Sequence, residues 1–288
     1  MSQPPPIVLS FAANDPSGGA GIQADLLTIA SMGCHPLSVI TAVTVQDTTG
    51  VDDILPLDSE WITSQARTLL EDMPVHAFKL GLLGSVEIIA AIAEIVSDYP
   101  NIPLIMDPVL ASGRGDELAT EDMIDAMRNL LLPQVTLLTP NSLEARRLAL
   151  HDEDDDDQDQ DQDQDQDNLS LDECAFRLLD MGCEYVLITG THENTSLVTN
   201  SLFTADGHVR SDDWKRLPRS YHGSGCTLAS AIAASMANGL SVNESVYAAQ
   251  EFTWHTLDAS FRPGMGQNIP NRLFWAKDTH KPNKSRPA

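Results

Sequence analysis

Short apolar runs alternate with amphipathic patterns along most of this chain. Residues 7–13 form the first apolar run, which predicts a strand, and apolar positions from 22 to 32 recur with the spacing of a helix. The β-branched run at 37–45 predicts a single buried strand. Further strands are predicted at 75–80, 103–106, 135–138 and 185–189, and residues 196–214 predict a hairpin centred on Asp206-Gly207.

Polar residues that can cap helices mark where several helices should begin. Thr120 precedes an acidic turn, and residues 170–173 read Ser-Leu-Asp-Glu, the pattern of a capping box. Other helices are predicted at about 60–71, 88–96, 141–150, 223–237 and 242–260. This alternation predicts an α/β fold with a mainly parallel central sheet and helices on both faces. Ligands bind such sheets beyond the carboxyl ends of the strands.

The composition agrees with this architecture. The chain has 288 residues, of which 42% are hydrophobic and 20% are charged, as is ordinary for a protein with a sizeable core. The length fits one large α/β domain or two small ones. Because the alternation of predicted strands and helices continues along the chain, we expect a single domain over residues 1–288.

The charge is unusual, since the formal net charge is -25 at pH 7. Residues 152–167 hold 11 of the 42 acidic residues and no basic residue. We expect a disordered loop insertion at about 151–168, because like charges repel and nothing there can join a core. Metal buffering and a partner-binding tail are the alternatives. The remaining 17 basic and 31 acidic residues still give -14, which argues against nucleic acid or an anionic membrane as a partner.

The cysteines and the first residues indicate the compartment. Four cysteines, at positions 34, 174, 183 and 226, form no CxxC pair, which argues against a disulfide scaffold or a zinc site. The first residues lack the pattern of a signal peptide, and no run of about 18 apolar residues could span a membrane. We therefore expect a cytoplasmic protein.

Residues 222–227, His-Gly-Ser-Gly-Cys-Thr, give the strongest local signal of chemistry. Two glycines precede a helix of small residues, so backbone N–H groups can turn toward one point where the helix N-terminus adds positive potential. Gly223, Ser224, Gly225 and Cys226 are therefore candidates for an anion hole that receives a phosphoryl group. The alternative is a tight turn before a packed helix, with Cys226 as a small buried side chain.

Two acidic residues stand near predicted strand ends. Asp107 is followed by proline; its carboxylate can point toward a metal and phosphates, or the proline can simply end the strand. Glu144 follows Asn141 by three residues, which is the spacing of a capping pair. The other interpretation places Glu144 near a magnesium–water cluster, and the spacing does not separate the two.

Six short motifs, in order, resemble the hydroxymethylpyrimidine/phosphomethylpyrimidine kinase family of the ribokinase-like group. They are NDPSGGAGIQAD, TAVTVQ, KLGLL, DPV, TPNSLE and HGSGCT. Each motif alone is weak, whereas six in order are specific, and the resemblance runs from about residue 7 to residue 260 apart from the acidic run. Cys226 stands where most ribokinase-like sugar kinases have aspartate and where this pyrimidine branch has cysteine.

The resemblance implies a ribokinase-like fold, ATP and Mg²⁺ as cofactors, and a homodimer. It implies phosphorylation of 4-amino-5-hydroxymethyl-2-methylpyrimidine and then of its monophosphate, in thiamine biosynthesis. Asp25 and Gln46 match the positions that hold the pyrimidine, whereas Leu82 and Val109 match apolar positions of the pocket. A carboxylate and an amide can pair with the edge of an aminopyrimidine. Without the resemblance, Gln46 could also be an ordinary polar residue at a strand end.

The resemblance also implies roles for the charged residues. Cys226 is expected to take the proton of the substrate hydroxyl, as a thiolate favoured by the helix N-terminus. Asp107 and Glu144 are expected to organise Mg²⁺, directly or through water. Asn141 and Arg114 are expected near the ATP phosphates.

Two departures from the family pattern affect phosphate binding. The family commonly has Ala-Lys-Ser-Gly-Asp after DPV, and residues 111–116 of this chain contain no lysine. The family also commonly has Lys-Gly-Gly-His where residues 189–192 read Thr-Gly-Thr-His. Arg114 could replace one of these lysines. A pyridoxal kinase, and a catalytically silent protein that senses the pyrimidine, are the alternative functions.

Overall fold

The computed structural model describes residues 4–112, 115–150 and 169–276. The expected acidic insertion at about 151–168 and the position of Arg114 lie outside these residues. The strands are β1 (Ile7–Ala12), β2 (His35–Ile40), β3 (Ala42–Gln46), β4 (Val51–Pro56), β5 (Ala77–Leu80), β6 (Leu104–Met106), β7 (Leu137–Leu138), β8 (Tyr185–Thr189), β9 (Leu197–Thr204) and β10 (Gly207–Lys215). The α-helices are α1 (Gly21–Ser31), α2 (Ser59–Asp72), α3 (Val86–Ser97), α4 (Glu121–Ala126), α5 (Ser142–Ala149), α6 (Leu171–Asp180), α7 (Ser224–Ala237) and α8 (Val242–Asp258).

Eight strands form one sheet in the order β10-β9-β8-β7-β6-β5-β1-β2. The strands from β2 to β8 in this order are parallel, and β9 and β10 extend the sheet as an antiparallel edge. Successive residues of a strand point to opposite faces, so Val8 and Leu9 of β1 enter two different hydrophobic cores. Helices α2–α6 cover one face, and α1, α7 and α8 cover the other. The predicted sheet, with helices on both faces, is confirmed.

The prediction of one buried strand at 37–45 is wrong. The chain leaves the main sheet at Thr41, and β3 pairs with β4 in a separate antiparallel hairpin. Thr41 marks the exit, because its backbone N–H donates to Ala12 and its hydroxyl donates to Leu82. In β3 only one face is buried, and Val43 and Val45 are exposed. Apolar composition alone does not distinguish such a hairpin from a fully buried strand.

The order of the strands creates a crevice. From β1 the chain moves outward to β2 and then returns past β1 to β5, after which β6, β7 and β8 follow on the other side. Connections therefore leave β1 and β5 in opposite directions, and ligands bind at the carboxyl ends of strands beside such a switch point. Within the residues described, no helix is long and apolar enough to cross a membrane.

Candidate active site

A cavity of about 770 Å³ opens at the carboxyl ends of the parallel strands. Pockets for small molecules commonly measure about 300–1,000 Å³, so this volume can hold two small ligands side by side. Segments that follow β1, β5, β6, β7 and β8 line the cavity, together with the hairpin β3–β4 and the start of α7. Ten residues predicted from the sequence lie in this lining: Gln46, Leu82, Asp107, Val109, Asn141, Glu144, Gly223, Ser224, Gly225 and Cys226.

The start of α7 has the backbone geometry of an anion-binding site. Gly223 is the N-cap residue with φ of 86°, and no side chain caps the helix. A Cβ at Gly223 would lie 1.9 Å from the carbonyl oxygen of Gly19, so only glycine fits where the two glycine-rich segments meet. The first N–H groups of a helix have no acceptor within it. Those of Ser224, Gly225 and Cys226 are therefore available to an anion in the cavity.

Four charged or polar side chains lie beneath this helix start. Lys79 Nζ lies 2.9 and 3.0 Å from the two carboxylate oxygens of Asp25, and both side chains are fully buried. Asp25 also accepts a hydrogen bond of 2.7 Å from Ser230. The Cys226 thiol lies near Asp107, and each group influences the pKa of the other. Only Lys79, Asp107 and Cys226 of this group line the cavity.

The prediction that Asp25 touches the substrate is not met in this structure. Its exposed fraction is 0%, both oxygens are engaged by Lys79 and Ser230, and Asp25 is not part of the cavity lining. The physical reason is the buried ammonium group, which needs a buried counter-ion. Asp25 therefore acts on the site through Lys79.

The Cys226 thiol is protonated at neutral pH in this structure. Burial raises its pKa to about 12; Lys79 acts in the opposite direction, whereas Asp107 and Asp25 raise the pKa further. The expected lowering of this pKa by the helix N-terminus is therefore wrong here, because burial and two carboxylates outweigh it. The thiol can accept a substrate proton only after its own proton has left, and Asp107 is the neighbouring carboxylate that can take it.

Asp107 and Glu144 form a buried pair of carboxyl groups. Burial and the charge of Asp107 raise the pKa of Glu144 to about 8, and burial also raises the pKa of Asp107. Glu144 accepts hydrogen bonds from the backbone N–H of Asn141 and of Leu110, and it completes the capping box of α5. The capping interpretation of Glu144 is confirmed. The same residue lines the cavity beside Asp107, so the magnesium interpretation stays a prediction that this position allows.

This donor set fits a divalent cation. The charge of Asp107 raises the pKa of Glu144, and two neighbouring carboxylates are stabilised when a cation lies between them. The described residues contain no group of three or more His, Cys, Asp or Glu side chains that could hold a metal ion. Mg²⁺ commonly binds one or two carboxylates and completes its shell with water and phosphate oxygens, and the pair matches that habit.

Three polar side chains in contact line the cavity near β3. His222 Nε2 lies 2.8 Å from Asp15 Oδ2, to which it donates, and 2.9 Å from the side-chain amide nitrogen of Gln46. Burial alone would raise the pKa of Asp15, but hydrogen bonds from His222, Ala20 and Ser17 outweigh it and lower the pKa to about 2. Asp15 is therefore a carboxylate that orients His222, and His222 in turn contacts Gln46. The sequence motifs contained Asp15 and His222, but composition gave no sign of their contact.

A basic segment lies beside the loop that lacks the second family lysine. Arg216 donates hydrogen bonds to the carbonyl oxygens of Gly190, Thr191, Glu193 and Thr195. Lys215 and Arg219 also line the cavity, and their side chains have no ion pair or hydrogen bond with any other residue that the structure describes. The segment therefore supplies positive charge that the sequence motifs did not reveal. Aromatic and apolar lining residues accompany it: Val198, Trp214, Leu217, Trp254 and Leu257.

Comparisons with known proteins agree with this geometry. The model of the phosphomethylpyrimidine kinase family matches residues 15–271. A hydroxymethylpyrimidine/phosphomethylpyrimidine kinase from Streptomyces coelicolor is 38% identical over 269 residues, which cover 91% of this chain and 92% of that protein. An ADP complex of Bacillus subtilis pyridoxal kinase superposes with a TM-score of 0.80 at 27% identity, covering 94% of this chain and 98% of the other. A phosphomethylpyrimidine kinase from Clostridium difficile gives a TM-score of 0.71 at 30% identity, with 88% and 99% covered.

Proposed function

Because this chain belongs to the phosphomethylpyrimidine kinase family, we propose that it transfers phosphate from ATP to 4-amino-5-hydroxymethyl-2-methylpyrimidine and then to the resulting monophosphate, in thiamine biosynthesis. The family match confirms the resemblance carried by the six motifs, and the similarity to solved kinases confirms the ribokinase-like fold. The observation that carries the proposal is the single cavity. There the anion-binding helix start, the carboxyl pair and Gln46 lie together.

The substrate end of the cavity is assigned to residues of β3 and of the strand ends. Gln46 presents an amide that can donate to and accept from the pyrimidine edge. Leu82 and Val109 supply apolar walls for the ring. Asp25 leaves this list and supports the site through Lys79, to which both its oxygens lie close.

Phosphoryl transfer depends mainly on position and on charge neutralisation. The N–H groups of Ser224, Gly225 and Cys226 would hold the oxygens of the transferring group. Cys226 would accept the hydroxyl proton once its own proton has passed to Asp107. Asp107 and Glu144 would hold Mg²⁺, which when bound neutralises phosphate charge.

The nucleotide end is assigned to the basic segment and its aromatic neighbours. Lys215 and Arg219 carry unpaired charge among the described residues, and Asn141 lies at the start of α5 with its backbone toward the same cavity. Trp214 and Trp254 can pack on a purine ring. Arg114, outside the described residues, stays part of the proposal as a further phosphate ligand.

The test is product analysis with ATP and three acceptors: the pyrimidine alcohol, its monophosphate and pyridoxal. We expect Mg²⁺-dependent formation of the monophosphate and the diphosphate of the pyrimidine. No transfer to the alcohol would refute the proposal, and transfer without any divalent cation would refute the role of the carboxyl pair. Transfer to the alcohol alone would limit the enzyme to one step, with the missing lysines as the cause.

Pyridoxal is included because a solved pyridoxal kinase superposes on this chain with a TM-score of 0.80. Pyridoxal also presents a hydroxymethyl group on a nitrogen heterocycle. We expect kcat/KM for pyridoxal to be lower than for the pyrimidine alcohol, since sequence similarity follows the pyrimidine kinases. The reverse order would make the pyridoxal kinase function the better assignment.

Replacing Gln46 with leucine should raise the KM for the pyrimidine alcohol at least about fivefold. Leucine leaves the polar edge of the heterocycle unpaired, which costs about 1–3 kcal/mol. Steady-state kinetics at saturating ATP measures the change. Gln65→Leu is the control, because Gln65 is half-buried on α2 and lies outside the cavity. A normal KM in Gln46→Leu would show that the pyrimidine binds elsewhere.

Assembly and compartment belong to the same proposal. A homodimer is supported by the exposed apolar face of the hairpin and the start of α2, where Val43, Val45, Leu55 and Trp61 are each at least 44% exposed. Light scattering of the purified protein tests it, and a monomeric mass would refute it. All four cysteines are free thiols, which supports the cytoplasm. We propose one kinase domain, into which the acidic segment is inserted as a loop.

A further inference from the structure

We infer that Arg272 is a positioning residue for phosphoryl transfer: its guanidinium holds the Gly223 carbonyl away from the cavity and so keeps the Ser224 N–H directed into it. This inference rests on the proposed function. Arg272 follows α8 and lies one residue beyond the segment that the family model matches.

Arg272 bridges the two glycine-rich segments of the site. It donates hydrogen bonds to the carbonyl oxygens of Gly18, Gly19 and Gly223 and to the Thr227 hydroxyl of α7. The side chain is 3% exposed. These hydrogen bonds join distant parts of the sequence, because Gly18 and Gly19 precede Arg272 by 254 and 253 residues.

The direction of the Ser224 N–H follows from the planar peptide bond. The C=O and N–H of a trans peptide point in opposite directions. The Gly223 oxygen accepts hydrogen bonds from Arg272 and from the backbone N–H and hydroxyl of Thr227. The same peptide therefore presents the Ser224 N–H on its other side, and Ser224 lines the cavity.

A cation is needed at this point because two backbone carbonyls converge. The Gly223 backbone approaches so closely that a Cβ there would meet the Gly19 oxygen at 1.9 Å. The Gly19 and Gly223 carbonyl oxygens both accept from the same guanidinium, and two carbonyl dipoles that converge on one point repel each other unless a donor lies between them. Glycine also allows the peptide to rotate, since no Cβ opposes it. A rotated Gly223–Ser224 peptide would present its oxygen, with partial negative charge, to the phosphoryl group.

The charge of Arg272 also reaches the cavity. Burial lowers the pKa of Arg272 to about 10, and Cys226, Asp25 and Asp15 act in the opposite direction, so the guanidinium is charged at neutral pH. Among the described residues it forms no ion pair. Neutral carbonyl oxygens surround it, and its positive potential therefore adds to that of the helix start.

The same guanidinium positions the loop that carries Asp15. The Gly19 carbonyl faces Arg272, and the N–H of that peptide, on Ala20, donates to Asp15 at 2.7 Å. Asp15 contacts His222, which contacts Gln46. Arg272 thus links the orientation of the anion hole to that of the substrate end.

The experiment compares Arg272→Met with Arg128→Met. Arg128 is a matched control, since it is also buried and donates to three backbone carbonyls, of Arg147, Leu148 and Leu150, but lies outside the cavity. We expect kcat of folded Arg272→Met to fall about 100-fold, as when one oxyanion donor is lost. The pyrimidine Kd should rise by a smaller factor than kcat falls, because Arg272 reaches the substrate end only through the Asp15 loop. Arg128→Met should lower Tm but leave kcat of the folded protein within about threefold of wild type.

Two further measurements keep the inference testable. Arg272→Lys should recover part of the lost kcat, because it restores the charge without the forked donor. Binding of inorganic phosphate, measured by calorimetry without turnover, should weaken at least tenfold in Arg272→Met and stay unchanged in Arg128→Met. Wild-type inactivity with every acceptor would refute the proposed function, while the phosphate measurement would still test Arg272. Equal kcat and phosphate affinity in wild type and Arg272→Met, or equal losses in both methionine variants, would overturn the inference.

Discussion

Replacing Cys226 with alanine should slow phosphorylation of the pyrimidine alcohol by about 100-fold or more, while slowing phosphorylation of the monophosphate much less. A positioned general base contributes about 10²–10⁴-fold. The alcohol must lose a proton as it attacks. A phosphate monoester has a second pKa of about 6, so it is already mainly dianionic at pH 7.5 and needs no base. Alanine keeps the backbone N–H, and the anion hole therefore survives in both reactions.

Single-turnover rates with each acceptor measure this difference. The pKa of the Cys226 thiol is about 12, so the thiol needs Asp107 to take its proton first. A second variant, at Asp107, tests this step. Asp107→Asn should therefore slow the alcohol reaction at least as much as Cys226→Ala. Equal losses for both acceptors in Cys226→Ala would mean that the thiol acts by packing. A loss in Asp107→Asn that is confined to the alcohol reaction, without one in Cys226→Ala, would make Asp107 the base, whereas a loss with both acceptors would reflect its role in holding Mg²⁺.

Replacing Lys79 with methionine should destabilise the protein by about 3–5 kcal/mol and abolish most activity. The change removes the only ion-pair partner of Asp25 among the described residues, and an unpaired buried carboxylate carries a penalty of that size. It also removes a cation that lowers the pKa of both Cys226 and Asp107. Denaturant unfolding and steady-state kinetics measure the two effects.

The double variant Lys79→Met/Asp25→Asn separates stability from chemistry. It removes both charges, so we expect it to recover much of the lost stability, as non-additive pairs do. Activity should stay low, because the cation beneath the anion hole is still missing. Full activity in the double variant would show that the pair serves only folding. A stability loss under about 1 kcal/mol in the single variant would contradict the buried ion pair.

The parts of the site that the sequence predicted are those carried by local motifs. Gly223 to Cys226 form a helix start because glycines precede a run of small residues, and these signals lie next to one another. Glu144 shows the limit of such signals: its spacing from Asn141 identifies a cap, but only the sheet order places it beside Asp107. The sequence did not predict that the chain leaves the main sheet at Thr41, because apolar residues continue on both sides of it. Only the structure shows that Val43 and Val45, beyond Thr41, are exposed.

Other features depend on contacts between distant residues. Asp25 follows the glycine-rich turn and suggested a ligand contact, yet the ammonium of Lys79, from β5, engages it. The pKa of Cys226 depends on burial and on carboxylates from other elements, which no local pattern encodes. Arg272 contacts backbone carbonyl groups. Every residue type has such a group, so the sequence does not show which residues Arg272 contacts. Its function could be inferred only from the folded chain.

The ribosome synthesises the chain from its N-terminus, whereas Arg272 connects parts of the site that lie near opposite ends of the sequence. The turn at Gly18 and Gly19 leaves the ribosome about 250 residues before the guanidinium that holds it. The strands β1 and β5 can pair early, but the carbonyls of this turn must wait for nearly the whole chain. A chain cut short just before Arg272 would keep the strands of the sheet but lack the guanidinium, and we expect its kcat to fall about as far as that of Arg272→Met. Premature release late in translation would therefore give fragments with little phosphoryl-transfer activity.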